Sequence, residues 1–70
     1  MKYLIIFEKT ETGYSVYSPD LLGCVSTGDT REEAQKNMRE AIEFHIEGLQ
    51  LEGYEIPQPS SESCYIEVAA

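Results

Sequence analysis

The sequence has no tryptophan, one histidine and two cysteines, and only 5 Lys and Arg residues stand against 13 Asp and Glu. Each scarcity narrows the reading. A net charge of −8 repels phosphate backbones and anionic lipid, which disfavours nucleic acid and membrane surfaces as partners and favours a cationic protein. The same charge is also sufficient to keep a small domain soluble, so charge alone does not choose between the two. Cys24 and Cys64 lie far apart, without C-x-x-C spacing or a neighbouring histidine, which predicts reduced, partly buried thiols rather than a metal or redox centre. The apolar run Tyr3-Leu4-Ile5-Ile6-Phe7 is too short for a signal peptide or a membrane span, and a cytoplasmic location is expected. Seventy residues make one domain, 1–70, and a chain this short buries only about 60% of the surface its unfolded form exposes. Its core is marginal, and self-association into a homodimer or higher homo-oligomer is the natural expectation.

What is present is strongly patterned. From Lys2 to Lys9, Tyr3, Ile5 and Phe7 alternate with Leu4, Ile6 and Glu8, which predicts a strand buried on both faces. Thr10-Glu11-Thr12-Gly13 is a polar turn, and Tyr14 to Ser18 alternates again, predicting a hairpin. Pro19-Asp20-Leu21-Leu22-Gly23 breaks the pattern, since proline cannot donate to a ladder, and Cys24 to Thr27 resumes it as a third strand. Thr30 and Glu33 then form an S/T-x-x-E capping box ahead of an apolar stripe through Ala34, Met38, Ala41, His45 and Leu49, widened by Ile42 and Ile46. A helix over 31–51 follows, stopped at Gly53 with Pro57 and Pro59 beyond. Ser63 to Val68 alternates once more and predicts a fourth strand. The expected fold is α+β, in the order βββαβ: a three-stranded antiparallel meander, one long helix, and a last strand returning parallel beside the first.

The string Gly13-Tyr14, Tyr17-Ser18-Pro19-Asp20-Leu21-Leu22-Gly23-Cys24, Gly28-Asp29-Thr30, Glu33-Ala34, Asn37 and Glu40-Ala41-Ile42 resembles the HicB-like antitoxin family, as does Ile56-Pro57-Gln58-Pro59. Its most specific portion pairs the P-D-L-x-G-C turn with the G-D-T-x-E-E-A helix start. The resemblance implies a truncated ribonuclease H-like domain without the catalytic carboxylates of true nucleases. It implies an antitoxin that binds and occludes a small basic, mRNA-cleaving, HicA-like toxin. Many members also carry a C-terminal DNA-binding module, and this chain is expected to have none. The alternative is a stand-alone homo-oligomeric binding module without a toxin partner.

The candidate chemistry points the same way. Glu8, Asp20, Asp29 and Glu67 are the carboxylates that could suit two-metal hydrolysis, but Asp20 sits in a Pro-Asp turn and Asp29 precedes a helix cap, both ordinary structural uses. Glu8 and Glu67 become neighbours if the first and last strands pair. His45 lies on the apolar stripe with no nucleophile around it, and Cys24 is placed to fill space behind the turn glycine. No catalytic residue, metal or cofactor is therefore expected. The motif residues Gly13, Tyr14, Pro19, Asp20, Leu21, Gly23, Cys24, Gly28, Asp29, Thr30, Glu33 and Ala34 are read as mainly structural. For partner binding the candidates are Tyr14 and Tyr17, because tyrosine is enriched at hot spots, and Glu40, Glu43 and Glu47 on the polar face of the helix.

Overall fold

The computed structural model describes all residues, 1–70. Three strands, β1 (Ile6–Lys9), β2 (Tyr14–Tyr17) and β3 (Val25–Gly28), precede one helix, α1 (Arg31–Leu51). The sheet is antiparallel throughout in the order β1-β2-β3, with Phe7 opposite Val16 and Val16 opposite Ser26. The α+β meander and long helix thus match expectation. β1 is half as long as its sequence pattern suggested, and the register gives the reason. Ile6 pairs with Tyr17, so continuing the ladder would set Leu4 against Pro19, which has no N–H to give. Lys2 to Ile5 consequently runs on without a partner strand.

Two turns connect the strands. The β1–β2 turn closes with Thr10 N–H donating to Gly13 O at 2.8 Å, and Gly13 N–H donating back to the Thr10 hydroxyl at 3.0 Å. In the β2–β3 connection, Cys24 N–H donates to Leu21 O across Gly23, whose φ of 80° suits the third position of a type II turn.

The helix begins and ends where its caps dictate. Thr30 is extended, and its hydroxyl accepts from Glu33 N–H at 3.0 Å. The Glu33 carboxylate reaches back to Asp29 N–H at 3.1 Å, one residue beyond the usual partner of a capping box. At the far end Gly53 takes a φ of 73°, Tyr54 N–H donates to Leu49 O and Gly53 N–H to Gln50 O. Those two bonds define a Schellman motif, which satisfies carbonyls the helix would otherwise leave open.

α1 lies across β2 and β3. Val16, Leu21, Cys24, Ala34 and Met38 are buried, with Tyr3, Ile5, Phe7, Tyr14, Ala41 and Ile42 packed around them. Close approach of helix to sheet depends on Gly28: a Cβ there would stand 2.7 Å from Ala34 Cα. Asn37 Nδ2 donates to Thr27 O at 2.8 Å, and the Arg31 guanidinium sits 4.4 Å from the centre of the Phe7 ring, fixing the helix start over β1 and β3.

The fourth strand expected over Ser63 to Val68 is not formed in this chain. Residues 54–70 contain no strand, and Tyr65, Ile66 and Val68 are 105%, 80% and 74% exposed. The cause lies just upstream, where Ser60 and Ser61 are tied to Asp20 at the β2–β3 connection and the chain leaves the sheet from there. Glu8 and Glu67 are therefore not neighbours. Cys64 is exposed rather than partly buried, because it belongs to the same segment.

Candidate functional site

An open groove of about 910 Å³ runs between the N-terminal segment and one flank of α1. Its floor is apolar, made by Tyr3 and Ile5 from the unpaired approach to β1 and by Ile42 and Ile46 from the helix. Its rim is charged, with Lys2 on the N-terminal segment and Arg39, Glu43 and Glu47 along the helix. The groove exists because α1 lies across β2 and β3, leaving the β1 side of the helix without a strand beneath it.

Glu40, Glu43 and Glu47 are exposed on the helix, three, four and seven residues apart. That spacing puts them on one ridge facing away from the sheet. Tyr17 lies on the sheet face that no helix covers, beside Ile6 and the exposed Val25 in the adjacent strands. Tyr14 points the other way and packs against the core. The five partner-binding candidates therefore split: the three glutamates form one ridge, Tyr17 belongs to the open sheet face, and Tyr14 is half-buried against the core.

The motif residues have structural work. Leu21 and Ala34 are buried, and Gly13 has no room for a side chain because the Gly28 carbonyl and Asp29 backbone occupy the space. Pro19 and Gly23 shape the β2–β3 connection, while Asp29, Thr30 and Glu33 share the helix cap. Cys24 is buried, and that burial pushes its thiol pKa above the ordinary value, which suits a packed side chain and not a nucleophile.

Asp20 has a further role that its sequence context hides. The Ser61 hydroxyl donates to its carboxylate at 2.8 Å, Ser61 N–H and Ser60 N–H at 3.1 Å, and the Ser60 hydroxyl at 3.1 Å. These bonds, led by that of the Ser61 hydroxyl, hold the carboxyl below its ordinary pKa. A carboxylate so engaged is an anchor, and no group of three or more potential metal ligands converges anywhere in the chain. Tyr3 adds a second tie, its hydroxyl donating to Pro57 O at 2.6 Å. Sequence reasoning missed both ties and the groove; the Ser60-Ser61 pair after Pro59 was the available signal.

A long capped helix laid on a three-stranded antiparallel meander, with three glutamates on its outer ridge, defines a small α+β domain. The model of the HicB-like antitoxin of bacterial toxin-antitoxin systems matches residues 3–68, and the chain belongs to that family. It is 47% identical over 66 residues to a protein from the rep-hol intergenic region of Haemophilus phage HP1, covering 94% of this chain and 50% of that protein. Antitoxin HicB 2 of Photorhabdus laumondii is 39% identical over 75 residues, covering all of this chain and 51% of that protein. The chain thus spans about half the length of both relatives. Among solved structures it is similar to a chain of the HicA3 and HicB3 toxin-antitoxin complex, with a TM-score of 0.75 and 40% identity over 86% of this chain and 70% of that one. The family is one of antitoxins, which suggests a non-enzymatic role. No helix is long and apolar enough to cross a membrane.

Proposed function

We propose that this protein is an antitoxin that binds and occludes a small, basic, HicA-like toxin that cleaves mRNA. The observation that carries the reading is the likeness, at 40% identity, to a chain of a toxin-antitoxin complex. The charge of −8 and the Glu40, Glu43 and Glu47 ridge supply the electrostatic complement to a basic partner, which raises association rate and suppresses wrong partners more than it adds affinity. Tyr17, with Ile6 and Val25 beside it, offers an apolar anchor on the open sheet face. The protein acts in the cytoplasm, where mRNA is the toxin's substrate, and it acts without a cofactor. It works as a homo-oligomer, a reading supported by the apolar side chains that the last segment leaves in water.

The test is to mix the purified protein with a basic HicA-like ribonuclease at low salt. A stoichiometric complex that abolishes RNA cleavage and is weakened by salt is expected. Charge reversal of the three ridge glutamates to lysine should slow association by about tenfold or more while the helix signal in circular dichroism is retained. Undiminished cleavage in the presence of excess protein would rule the antitoxin reading out. Recovery of the homo-oligomer alone would leave the stand-alone binding module as the better description.

A further inference from the structure

The C-terminal segment is built to be a strand and has no strand to pair with. Cys64, Ile66 and Val68 alternate with Tyr65 and Glu67, yet the whole stretch is exposed. The molecule as a whole is elongated. The Cα radius of gyration is 13.8 Å and the extents are 48 × 26 × 16 Å, whereas a compact 70-residue domain has a radius of about 11 Å. An open edge of matching length lies elsewhere on the same protein. β1 is an edge strand, and Lys2 to Ile5 ahead of it carries no partner strand and borders the apolar floor of the groove.

The ties described above decide whether a chain fills its own edge. Pro57 is bonded to Tyr3 on the β1 side of the sheet end, and Ser60 and Ser61 to Asp20 at the β2–β3 connection. Between these points the chain crosses the end of the sheet, moving away from the open edge of β1. To pair in its own groove it would have to turn back across the sheet end directly after the Asp20 bonds.

We propose that two copies of this chain exchange their C-terminal segments, residues 63–68 of each pairing with the β1 edge of the other and laying Ile66 and Val68 over Tyr3, Ile5, Ile42 and Ile46. Six extended residues span about 20 Å, the length of the Lys2 to Phe7 edge. A two-fold exchange is reciprocal and closed: both edges are covered, both sets of apolar side chains leave water, and no further copy is recruited. The inference deepens the homo-oligomeric part of the function proposed above and does not depend on toxin binding.

The test uses the full chain with no toxin present, so its failure leaves the antitoxin reading untouched. Isotope-labelled and unlabelled protein are unfolded together, refolded as an equal mixture, and studied by isotope-filtered NMR, with light scattering for mass. The expected result is a particle of twice 7.9 kDa, with intermolecular NOEs from the Ile66 and Val68 methyl groups to Ile42, Ile46 and Tyr3. Ile66→Glu should keep the helix signal and weaken the dimer by on the order of a hundredfold or more, since two buried isoleucines are lost per dimer. The proposal is overturned if the same NOEs arise only within one chain, if the segment shows none, if the protein is monomeric, or if Ile66→Glu remains as tightly dimeric as the parent.

Discussion

The Gly28 contact permits a sharp test of how helix and sheet are held together, because the same chemical change can be made at a second glycine with the opposite sign. In Gly28→Ala the new methyl would stand 2.7 Å from Ala34 Cα and 2.9 Å from Glu33 C. Ordinary carbon contacts lie at about 3.5–4.0 Å, so close to 1 Å of separation must be found. These atoms and Ala34 N, nearer still, are all backbone, so no side chain can swing aside; α1 has to lift, and buried Ala34 and Met38 lift with it. Overpacking of this kind costs about 1–3 kcal/mol and sometimes more. Gly48, within the same helix, has nothing within 4 Å of its virtual Cβ, and there alanine should stabilise by about 0.5–1 kcal/mol through helix propensity. A 70-residue domain has roughly 3.5–10 kcal/mol in total, so the two variants should be readily separated. Urea unfolding followed by circular dichroism, at one fixed chain concentration, should show opposite shifts in midpoint with unchanged slope. The reasoning fails if Gly28→Ala lies within about 0.5 kcal/mol of the parent, or if Gly48→Ala is the less stable of the pair.

Other outcomes follow from single features. Thr30→Ala removes the acceptor for Glu33 N–H and should cost about 1 kcal/mol in the same unfolding assay, whereas Thr30→Ser should cost little. Because the native pKa of Asp20 is lowered, docking of residues 60–61 should be complete above the usual carboxylate pKa of 3.8 and be lost as pH falls below it through the native value. Amide exchange at Ser60 and Ser61 against pH should follow that course and lose it in Asp20→Ala; a native Asp20 titrating above 3.8 would contradict the geometry. Cys24 should resist alkylation until the protein unfolds, and labelling of Cys24 in the native state would mean that the core is open.

The helix was legible to the residue because both its ends are written locally, in Thr30 with Glu33 and in Gly53. The meander was legible for a similar reason, since alternation and turn residues act over a few positions. The length of β1 was not, because its limit is set by Pro19 on the partner strand and emerges only with the register. The last segment shows the deeper limit. Its alternation states that residues 63–68 suit a strand edge, but periodicity is silent on which edge, or on whose. Asp20 was read as a turn residue, and it is one; its hold on Ser60 and Ser61 bridges forty residues and leaves no periodic trace. The partner-binding candidates were chosen by residue type, and register alone separated Tyr17 on the open face from Tyr14, half-buried on the helix side.

The Asp20 anchor also bears on the order in which this protein is made. Chains emerge N-terminus first, and the sheet, its turns and α1 are all built from residues 1–51, through contacts mostly close in sequence. Ser60 and Ser61 are synthesised afterwards and find the Asp20 carboxylate already fixed in its turn. Residues 63–68 emerge later still, onto a domain whose β1 edge has stood open since the first strands formed. The domain is thus folded, with its β1 edge open, before residues 63–68 are available to any strand.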